Sequence, residues 1–369
     1  MTPLMLAQQL QRTHMIPLLQ KEEALLSIPA GSVKEAGFPY DQENYIPHSR
    51  LALEGGEESF SGTQGDVVPA RLQQLEEGAP PRLVALKLVR VQEHSRSMLR
   101  EIELLSRADL KHPNIICLEG ISVVRSSIAL VFPYSSLGDL HKYTCGSTPS
   151  SSPSSKLPPS RSIAPFPASP SSPTTAPTTS SSSSPPSSHR IPDYDLVAVM
   201  IGLAHGLHHL HSANVFHNDV KPQNVVLFRE AEGTPLSPKL IDFGIAFMSD
   251  QMGTGDQTFE LTPLKSVGTR GFAAPERLFP AEADRPPPNA ATDTFSFGVT
   301  CWQAYHAQTP FQAGRGPGDA LQLLPLDDPS RSFPPELLAL INRCLASNPA
   351  NRPCLDEFFK LDSASNFKC

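Results

Sequence analysis

The apolar residues between positions 83 and 134 are spaced as in a small unit of strands and one helix. Leu83–Val89 is a dense apolar run containing one lysine, which is typical of a largely buried strand. The residues that follow have apolar positions at helical spacing until His112-Pro113-Asn114, where proline ends the helix. The pattern predicts strands at 83–89, 115–124 and 128–132 and a helix at 98–110.

The region 191–360 is patterned mostly as helices. Its segment 296–305 is apolar on nearly all sides, which predicts a buried helix. Further helices are predicted at 196–211 and 337–345. A small β-rich lobe followed by a larger helical lobe implies a cleft, and clefts between lobes commonly bind ligands.

A Ser/Pro-rich segment separates the two patterned regions. Of the 44 residues from Cys145 to Ser188, 29 are serine or proline. Such a segment buries too little apolar surface to offset its chain entropy, so it is predicted to be disordered. Two interpretations stay open: a tolerated spacer, or a regulatory or docking segment.

The overall composition excludes several classes of protein. The net charge of −7 over 369 residues argues against a nucleic-acid binder with a broad basic surface. The chain has no apolar run of membrane-spanning length and no secretory signal, so we expect no membrane partner. Its six cysteines include no Cys-x-x-Cys pair, which favours free thiols and a cytoplasmic or nuclear location.

The most informative stretch is His217-Asn218-Asp219-Val220-Lys221-Pro222-Gln223-Asn224, which follows a predicted helix. Asp242-Phe243-Gly244 comes 18 residues after Asn224. Together they place two acids, a lysine and an asparagine at the ends of short apolar strands. Phosphoryl transfer needs such a set: oxygen ligands for Mg²⁺, a carboxylate to orient the attacking hydroxyl, and a cation to offset phosphate charge.

On these motifs the sequence resembles the eukaryotic protein kinase family, in its Ser/Thr-directed branch. The resemblance implies an α+β, two-lobed fold, with a small β-rich N-lobe that carries one main helix and a larger α-helical C-lobe. It divides the chain into five parts. These are an N-terminal extension (1–52, partly helical), an N-lobe (53–134), the insert (145–188), a C-lobe (191–361) and a short tail (362–369).

The resemblance also implies catalytic roles. Asp219 would accept the proton of the substrate hydroxyl, and Lys221 would contact the γ-phosphate of ATP. Asn224 and Asp242 would bind Mg²⁺. Lys87, in Val-Ala-Leu-Lys, would hold the α- and β-phosphates and pair with Glu101 on the main helix of the N-lobe.

A nucleotide site is implied by the same likeness. Gly62 and Gly65 would lie in the loop that covers the phosphates, although a flexible polar loop is an alternative. Asp139 would hold the ribose, or would simply begin a helix. The remaining residues implied to line the site are Val67, Ala85, Phe132, Pro133, Ser135 and Val226. Of these, Phe132 would be the gatekeeper, and Pro133 and Ser135 would offer backbone groups to the adenine.

Further matches lie towards the C-terminus. Residues 268–276 are similar to the substrate-docking loop and its closing Ala-Pro-Glu, and Arg352 is similar to a late arginine that pairs with Glu276. Lys221 and Thr269 are typical of the Ser/Thr-directed branch, so the expected substrates are protein Ser and Thr hydroxyls. A regulatory partner could bind through residues 1–52 or through the insert.

Two departures from the family pattern leave alternatives open. Phe60 replaces the first glycine of the phosphate loop, and Asn218 replaces the usual arginine before Asp219. A pseudokinase or scaffold is therefore the main alternative, and a small-molecule kinase of related fold is the third. Histidines 205, 208, 209 and 211 are spaced so that they could hold zinc on one helical face, although a structural role is the plainer interpretation.

Overall fold

The computed structural model describes residues 45–54, 66–76, 78–89, 97, 100–124, 127–145, 191–249, 267–308 and 325–363. Gly62, Gly65, residues 146–188 of the predicted insert and most of the N-terminal extension lie outside the described residues.

The N-lobe is built on a five-stranded antiparallel sheet. Its strands are β1 (Leu51–Leu53), β2 (Asp66–Leu72), β3 (Arg82–Val89), β4 (Gly120–Val124) and β5 (Ser127–Pro133). They are arranged in the order β1-β2-β3-β5-β4. Alternation along β3 places Val84 and Leu86 in an apolar cluster on one face, whereas Ala85 packs towards the opposite face. Lys87 shares the face of Ala85 and lies opposite Val67 on β2 and Leu130 on β5.

The main helix of this lobe, here α1, is helical at residue 97 and over 100–105 among the described residues. It ends earlier than the predicted 98–110, and a separate 3-10 turn follows at Ala108–Leu110. Arg107 between them has an extended backbone, and its guanidinium bonds the carboxylate of Asp109 at 2.6 and 3.0 Å. Side chains two residues apart do not face each other on an α-helix, so this ion pair favours the break.

The predicted strand 115–124 was wrong in its first half. Only Gly120–Val124 pairs with β5. Ile115 instead forms a parallel bridge to Leu240 in the C-lobe, and the Ile116 N–H donates to the Leu240 oxygen at 2.9 Å. The segment 115–119 therefore connects the two lobes.

The C-lobe is mainly helical and confirms the three predicted helices with slightly wider bounds. The predicted buried helix is buried from Thr292 to Tyr305 and begins at a capping box between Asn289 and Thr292. The helices are α2 (Leu140–Cys145), α3 (Asp193–Ser212), α4 (Pro275–Leu278), α5 (Ala290–His306), α6 (Pro335–Cys344) and α7 (Phe359–Ser363). The larger hydrophobic core joins both lobes.

Two short antiparallel ribbons lie between these helices and the N-lobe. In the first, β6 (Val215–Phe216) pairs with β9 (Phe247–Met248). In the second, β7 (Val225–Phe228) pairs with β8 (Ser237–Leu240). The loops at their ends carry the acids singled out in the sequence. None of the helices in the described part of the chain is both long and apolar enough to span a bilayer.

Candidate active site

The loop that carries Asp219 is fixed by a buried acid from a distant helix. Asp293, on α5, accepts hydrogen bonds from the backbone N–H groups of His217 and Asn218 at 2.7 and 2.8 Å. His211 Nε2 lies 3.0 Å from the same carboxylate. Asp293 was not singled out from the sequence, where it lies just before the predicted buried segment, so its anchoring role was missed. The available signal was that Asp293 is the sole acidic residue of α5.

His217 braces the loop from its other side. Its ring Nε2 donates to the Ile241 oxygen at 3.0 Å, and the ring contacts Phe243 with centroids 5.0 Å apart. His217 and Phe243 are both fully buried. The loop and the Asp242-Phe243-Gly244 motif are therefore held against each other.

Asn218 has a left-handed backbone conformation, with φ 63°. Asparagine adopts this conformation more readily than most residues. Its side-chain nitrogen donates to the Ile245 oxygen at 3.2 Å, just after the Asp-Phe-Gly motif. The neutral amide thus makes a direct contact with the segment that follows Asp242.

The carboxylate of Asp219 accepts four hydrogen bonds. Oδ1 accepts from the backbone N–H and the hydroxyl of Thr269 at 2.8 and 2.7 Å. Oδ2 accepts from Lys221 Nζ at 2.7 Å and from Asn224 Nδ2 at 3.0 Å. These donors fix the orientation of the carboxylate. Thr269 was predicted only as a marker of the docking loop, and the structure places it in direct contact with Asp219.

The predicted contact between Lys87 and Glu101 is present and includes Asp242. Lys87 Nζ lies 2.7 Å from Glu101 Oε2 and 2.9 Å from Asp242 Oδ1. Burial alone would lower the pKa of Lys87, but the charges of Glu101 and Asp242 outweigh it and raise the pKa above its ordinary value. Lys87 is therefore a cation at neutral pH, and it ties α1 to the motif after β8.

Asp242 remains ionised in spite of its burial. Burial would raise the pKa of its carboxyl, but Lys87 outweighs this effect and the pKa is lowered. Nearby, the amide nitrogen of Asn224 donates to the Asp219 backbone oxygen at 2.9 Å, so the side-chain oxygen is the atom that Asn224 can offer to a cation. A carboxylate and an amide oxygen form the kind of donor set that fits Mg²⁺.

The predicted walls of the nucleotide site lie on adjoining strands. Ala85 is opposite Phe132, and Val67, 57% exposed, is opposite Lys87. Asp139 forms a bridge to Val226. These positions bring one face of the N-lobe sheet together with the first strand of the β7–β8 ribbon.

The segment that follows β5 is tied to the same ribbon. Pro133 pairs with Val84, and the Ser135 hydroxyl donates to the Leu227 oxygen. Asp139 Oδ1 accepts from the Lys142 N–H at 2.9 Å, so the carboxylate starts α2, as the alternative interpretation of this residue predicted.

The predicted pair between Glu276 and Arg352 is also present. Both guanidinium nitrogens of Arg352 bond the carboxylate, at 2.5 and 2.8 Å. The Arg352 side chain is 1% exposed, and its Nη1 also donates to the Ala291 oxygen at 2.9 Å. This ion pair joins the docking loop to the body of the C-lobe.

Comparison with known proteins identifies the family. The family profile described as protein tyrosine and serine/threonine kinase matches residues 55–361. This chain belongs to that family. The kinase domain accordingly has the two-lobed α+β fold, with a β-sheet N-lobe and a helical C-lobe.

Relatives of this kinase domain include bacterial and plant proteins. Serine/threonine-protein kinase PkaB of Streptomyces coelicolor is 34% identical over 164 residues, which are 42% of this chain and 36% of the relative. PkaA of the same organism is 29% identical over 286 residues, which are 75% of this chain and 42% of PkaA. Mitogen-activated protein kinase kinase 3 of Arabidopsis thaliana is 30% identical over 174 residues, which are 46% of this chain and 30% of the relative. The chain thus matches less than half the length of each relative.

The four histidines of α3 each contact a neighbouring group in this kinase domain, and His208 lies edge-on to Phe359 with centroids 5.0 Å apart. The His205 ring stacks on Phe359 with centroids 3.9 Å apart, whereas His209 Nε2 donates to the Asp109 oxygen at 2.8 Å. His211 faces Asp293. Within the part of the chain that the structure describes, no group of three or more metal-ligating side chains occurs.

Gly268 is expected to be essential for the kinase site. It has φ +68°, and an added Cβ would lie 2.3 Å from the Asn218 backbone oxygen. Because Thr269 is the next residue, Gly268→Ala should move it away from Asp219. We expect turnover to fall on the order of 10- to 100-fold, which steady-state kinetics of a phosphotransfer assay would measure.

Gly233→Ala is the matched control, because Gly233 has φ +83° and open space where the Cβ would lie. It should cost stability by about 1 kcal/mol through backbone strain alone and leave turnover unchanged. Equal turnover of the two variants would contradict the expected role of Gly268.

Proposed function

We propose that this chain is a protein serine/threonine kinase that transfers the γ-phosphate of ATP to Ser and Thr hydroxyls. The observation that carries the proposal is the set of hydrogen bonds around Asp219. Thr269, Lys221 and Asn224 all donate to its carboxylate. The docking loop, the catalytic loop and one candidate metal ligand therefore contact the same carboxylate.

ATP binds in the cleft between the lobes in this proposal. Val67, Ala85 and Val226 enclose the adenine next to Phe132, and Pro133 and Ser135 offer it backbone groups. Lys87 holds the α- and β-phosphates, and its ion pair with Glu101 makes that position depend on α1. Gly62 and Gly65 remain predicted members of the phosphate loop, and Asp139 a predicted ribose contact.

Asn224 and Asp242 would hold Mg²⁺, which would neutralise phosphate charge when bound. The substrate hydroxyl is oriented by Asp219, which accepts its proton as the oxygen bonds to the γ-phosphorus. The bond to the β-phosphate oxygen breaks, and ADP leaves. Lys221, 2.7 Å from Asp219, offsets negative charge on the transferred group.

Selection of Ser and Thr is supported by two observations. Thr269, a residue typical of the Ser/Thr-directed branch, bonds both Asp219 and Lys221, the latter at 2.8 Å. The bacterial relatives named above are serine/threonine-protein kinases. The alternative, a scaffold without catalysis, would not require that Lys87 contact Asp242. Nor would it require that Lys221 and Asn224 both bond Asp219.

Nucleotide binding is tested by melting the full chain with and without Mg-ATP. A ligand at about 100 times its Kd stabilises a protein by about 2.7 kcal/mol, so the melting temperature should rise. The rise should require Mg²⁺ and should be smaller for Asp242→Asn, which weakens the metal site. An unchanged melting temperature in wild type would contradict the proposal and favour the scaffold alternative.

We expect that turnover does not depend on the binding of a phosphorylated residue by the side chain at position 218. Because Asn218 is neutral and bonds Ile245 directly, it cannot make the charge-assisted contact that an arginine makes with a phosphorylated residue. Phosphatase treatment should therefore leave turnover within about twofold, measured by steady-state kinetics.

Asn218→Arg is the companion variant. It introduces the missing charge at a left-handed position, and it should lower turnover or create a new dependence on phosphate. The expectation fails if dephosphorylation lowers wild-type turnover by about 100-fold and Asn218→Arg leaves that dependence unchanged.

A further inference from the structure

A second cavity lies behind α1, apart from the candidate active site. Its volume is about 360 Å³, and none of the residues that line it belongs to the set around Asp219. The floor is apolar and is formed by Leu105, Leu110, Ile115 and Ile116. Leu105 is one helical turn after Glu101 on α1, so an occupant would contact the helix that positions Lys87.

The rim of the cavity is cationic. Lys111 and Lys239 both line it, and Lys239 Nζ donates to the Pro113 oxygen at 2.5 Å. Among the described residues no carboxylate forms an ion pair with either lysine. Lys239 is partly buried, and this burial lowers the pKa of its ammonium group, an effect that the charge of Glu230 opposes only in part.

His112 adds no charge to this rim at neutral pH. Burial, together with His209, His205 and Lys239, lowers its pKa to about 4. The complementary ligand therefore has an apolar or aromatic group for the floor and a carboxylate for the lysines.

The N-terminal extension joins the N-lobe at the edge of the sheet next to the residues that lead from the cavity into β4. Strand β4 is at the edge of the N-lobe sheet, and Tyr45 forms a parallel bridge to its Ile121. The Ile46 N–H donates to the Ile121 oxygen at 2.9 Å. Because the bridge is parallel, the chain enters Tyr45 from the side on which the residues before Ile121 lie. These include the cavity residues Ile116 and Cys117.

The segment 35–44 has the required chemistry. It reads Glu-Ala-Gly-Phe-Pro-Tyr-Asp-Gln-Glu-Asn, with three carboxylates, two aromatic rings and no lysine or arginine. Asp41 precedes Tyr45 by four residues, and Cys117 precedes Ile121 by four. Four residues of chain span at most about 14 Å, so the stretch from Tyr45 to Asp41 can cover the same distance as the stretch from Ile121 to Cys117. Tyr40 and Asp41 are therefore close enough along the chain to reach the cavity.

We propose that residues 35–44 dock in this cavity in cis, with Tyr40 on the apolar floor and Asp41 beside Lys239. The docked segment holds the end of α1 against the C-lobe strand β8. If the proposed kinase function holds, docking also supports the Lys87–Glu101 contact and raises activity, whereas the docking itself does not require catalysis.

A charge-swap experiment on the full chain tests the docking. The proteins are wild type, Asp41→Lys, Lys239→Asp and the double variant, and the readout is hydrogen exchange of the amides in 38–44 and 110–117. Each single reversal should speed exchange in both segments by about two- to fivefold, and the double variant should recover protection. Glu23→Lys, an equal charge change elsewhere in the extension, should leave both segments unchanged.

The outcomes separate the possible occupants. Additive effects in the double variant, or equal exchange in all four proteins, overturn the proposal. Recovery of protection on mixing the two single variants would place the segment on a second copy of the chain and would overturn docking in cis. Because exchange is measured without ATP or substrate, failure of the kinase function would leave this result unaffected.

Discussion

Asp219→Asn is expected to reduce the rate of phosphoryl transfer by about 10²- to 10⁴-fold, the usual contribution of a positioned general base. The amide keeps the shape of the side chain and one acceptor oxygen for Thr269, but it cannot take the proton of the substrate hydroxyl. Single-turnover transfer of labelled phosphate from ATP measures the loss directly.

Two observations accompany this prediction. Asp219→Asn should melt at a temperature that still rises with Mg-ATP, because Asn224 and Asp242 remain. Asp356→Asn, which changes an exposed carboxylate of the C-lobe, should transfer phosphate at the wild-type rate. Retention of more than about a tenth of the wild-type rate by Asp219→Asn would contradict the role given to Asp219.

Arg352→Met is expected to produce the largest loss of stability, about 3–5 kcal/mol, because it leaves the carboxylate of Glu276 unpaired in a partly buried site. The Arg352 guanidinium also donates to backbone oxygens of Ala291 and Ala346, and these would lose their donor. Urea unfolding followed by fluorescence or circular dichroism gives the free energy of unfolding.

Arg343→Met is the matched control. Arg343 bonds Glu357 through both guanidinium nitrogens, at 2.6 and 3.2 Å, but the pair is exposed, and such pairs contribute about 0–1 kcal/mol. Similar losses of unfolding free energy in the two variants would show that burial does not determine how much the Glu276–Arg352 pair contributes to stability.

The catalytic loop could be predicted from sequence because its residues are contiguous. Asp219, Lys221 and Asn224 lie within six positions, and a short loop between a helix and a strand leaves them few relative arrangements. Lys87 and Glu101 were also predictable, since one lies in an apolar strand and the other in the helix that follows. Their contact needed only that the helix pack on the sheet.

Thr269 and Asp293 were not recognised as part of the site for the opposite reason. Each contacts the catalytic loop across about fifty residues or more of sequence, and pairing at that distance depends on how the helices pack. Threonine and aspartate are common on surfaces, so neither residue type signals burial by itself.

The predicted bounds of secondary-structure elements were wrong where a contact in the folded chain overrides the local sequence pattern. The apolar run 115–124 is uniform enough to look like one strand, yet Ile115 pairs with Leu240 of β8 and only Gly120–Val124 joins the N-lobe sheet. The helix 98–110 was extended too far because apolar spacing continues past Arg107, whose pairing with Asp109 ends it.

The most direct test of the proposed kinase activity is incubation of the purified chain with Mg²⁺, radiolabelled ATP and generic protein substrates, followed by phosphoamino acid analysis. We expect label on phosphoserine or phosphothreonine that is lost in both Lys87→Met and Asp219→Asn. Label on tyrosine would contradict the substrate class. Absence of label, in a protein whose melting temperature does not respond to Mg-ATP, would contradict the kinase function itself.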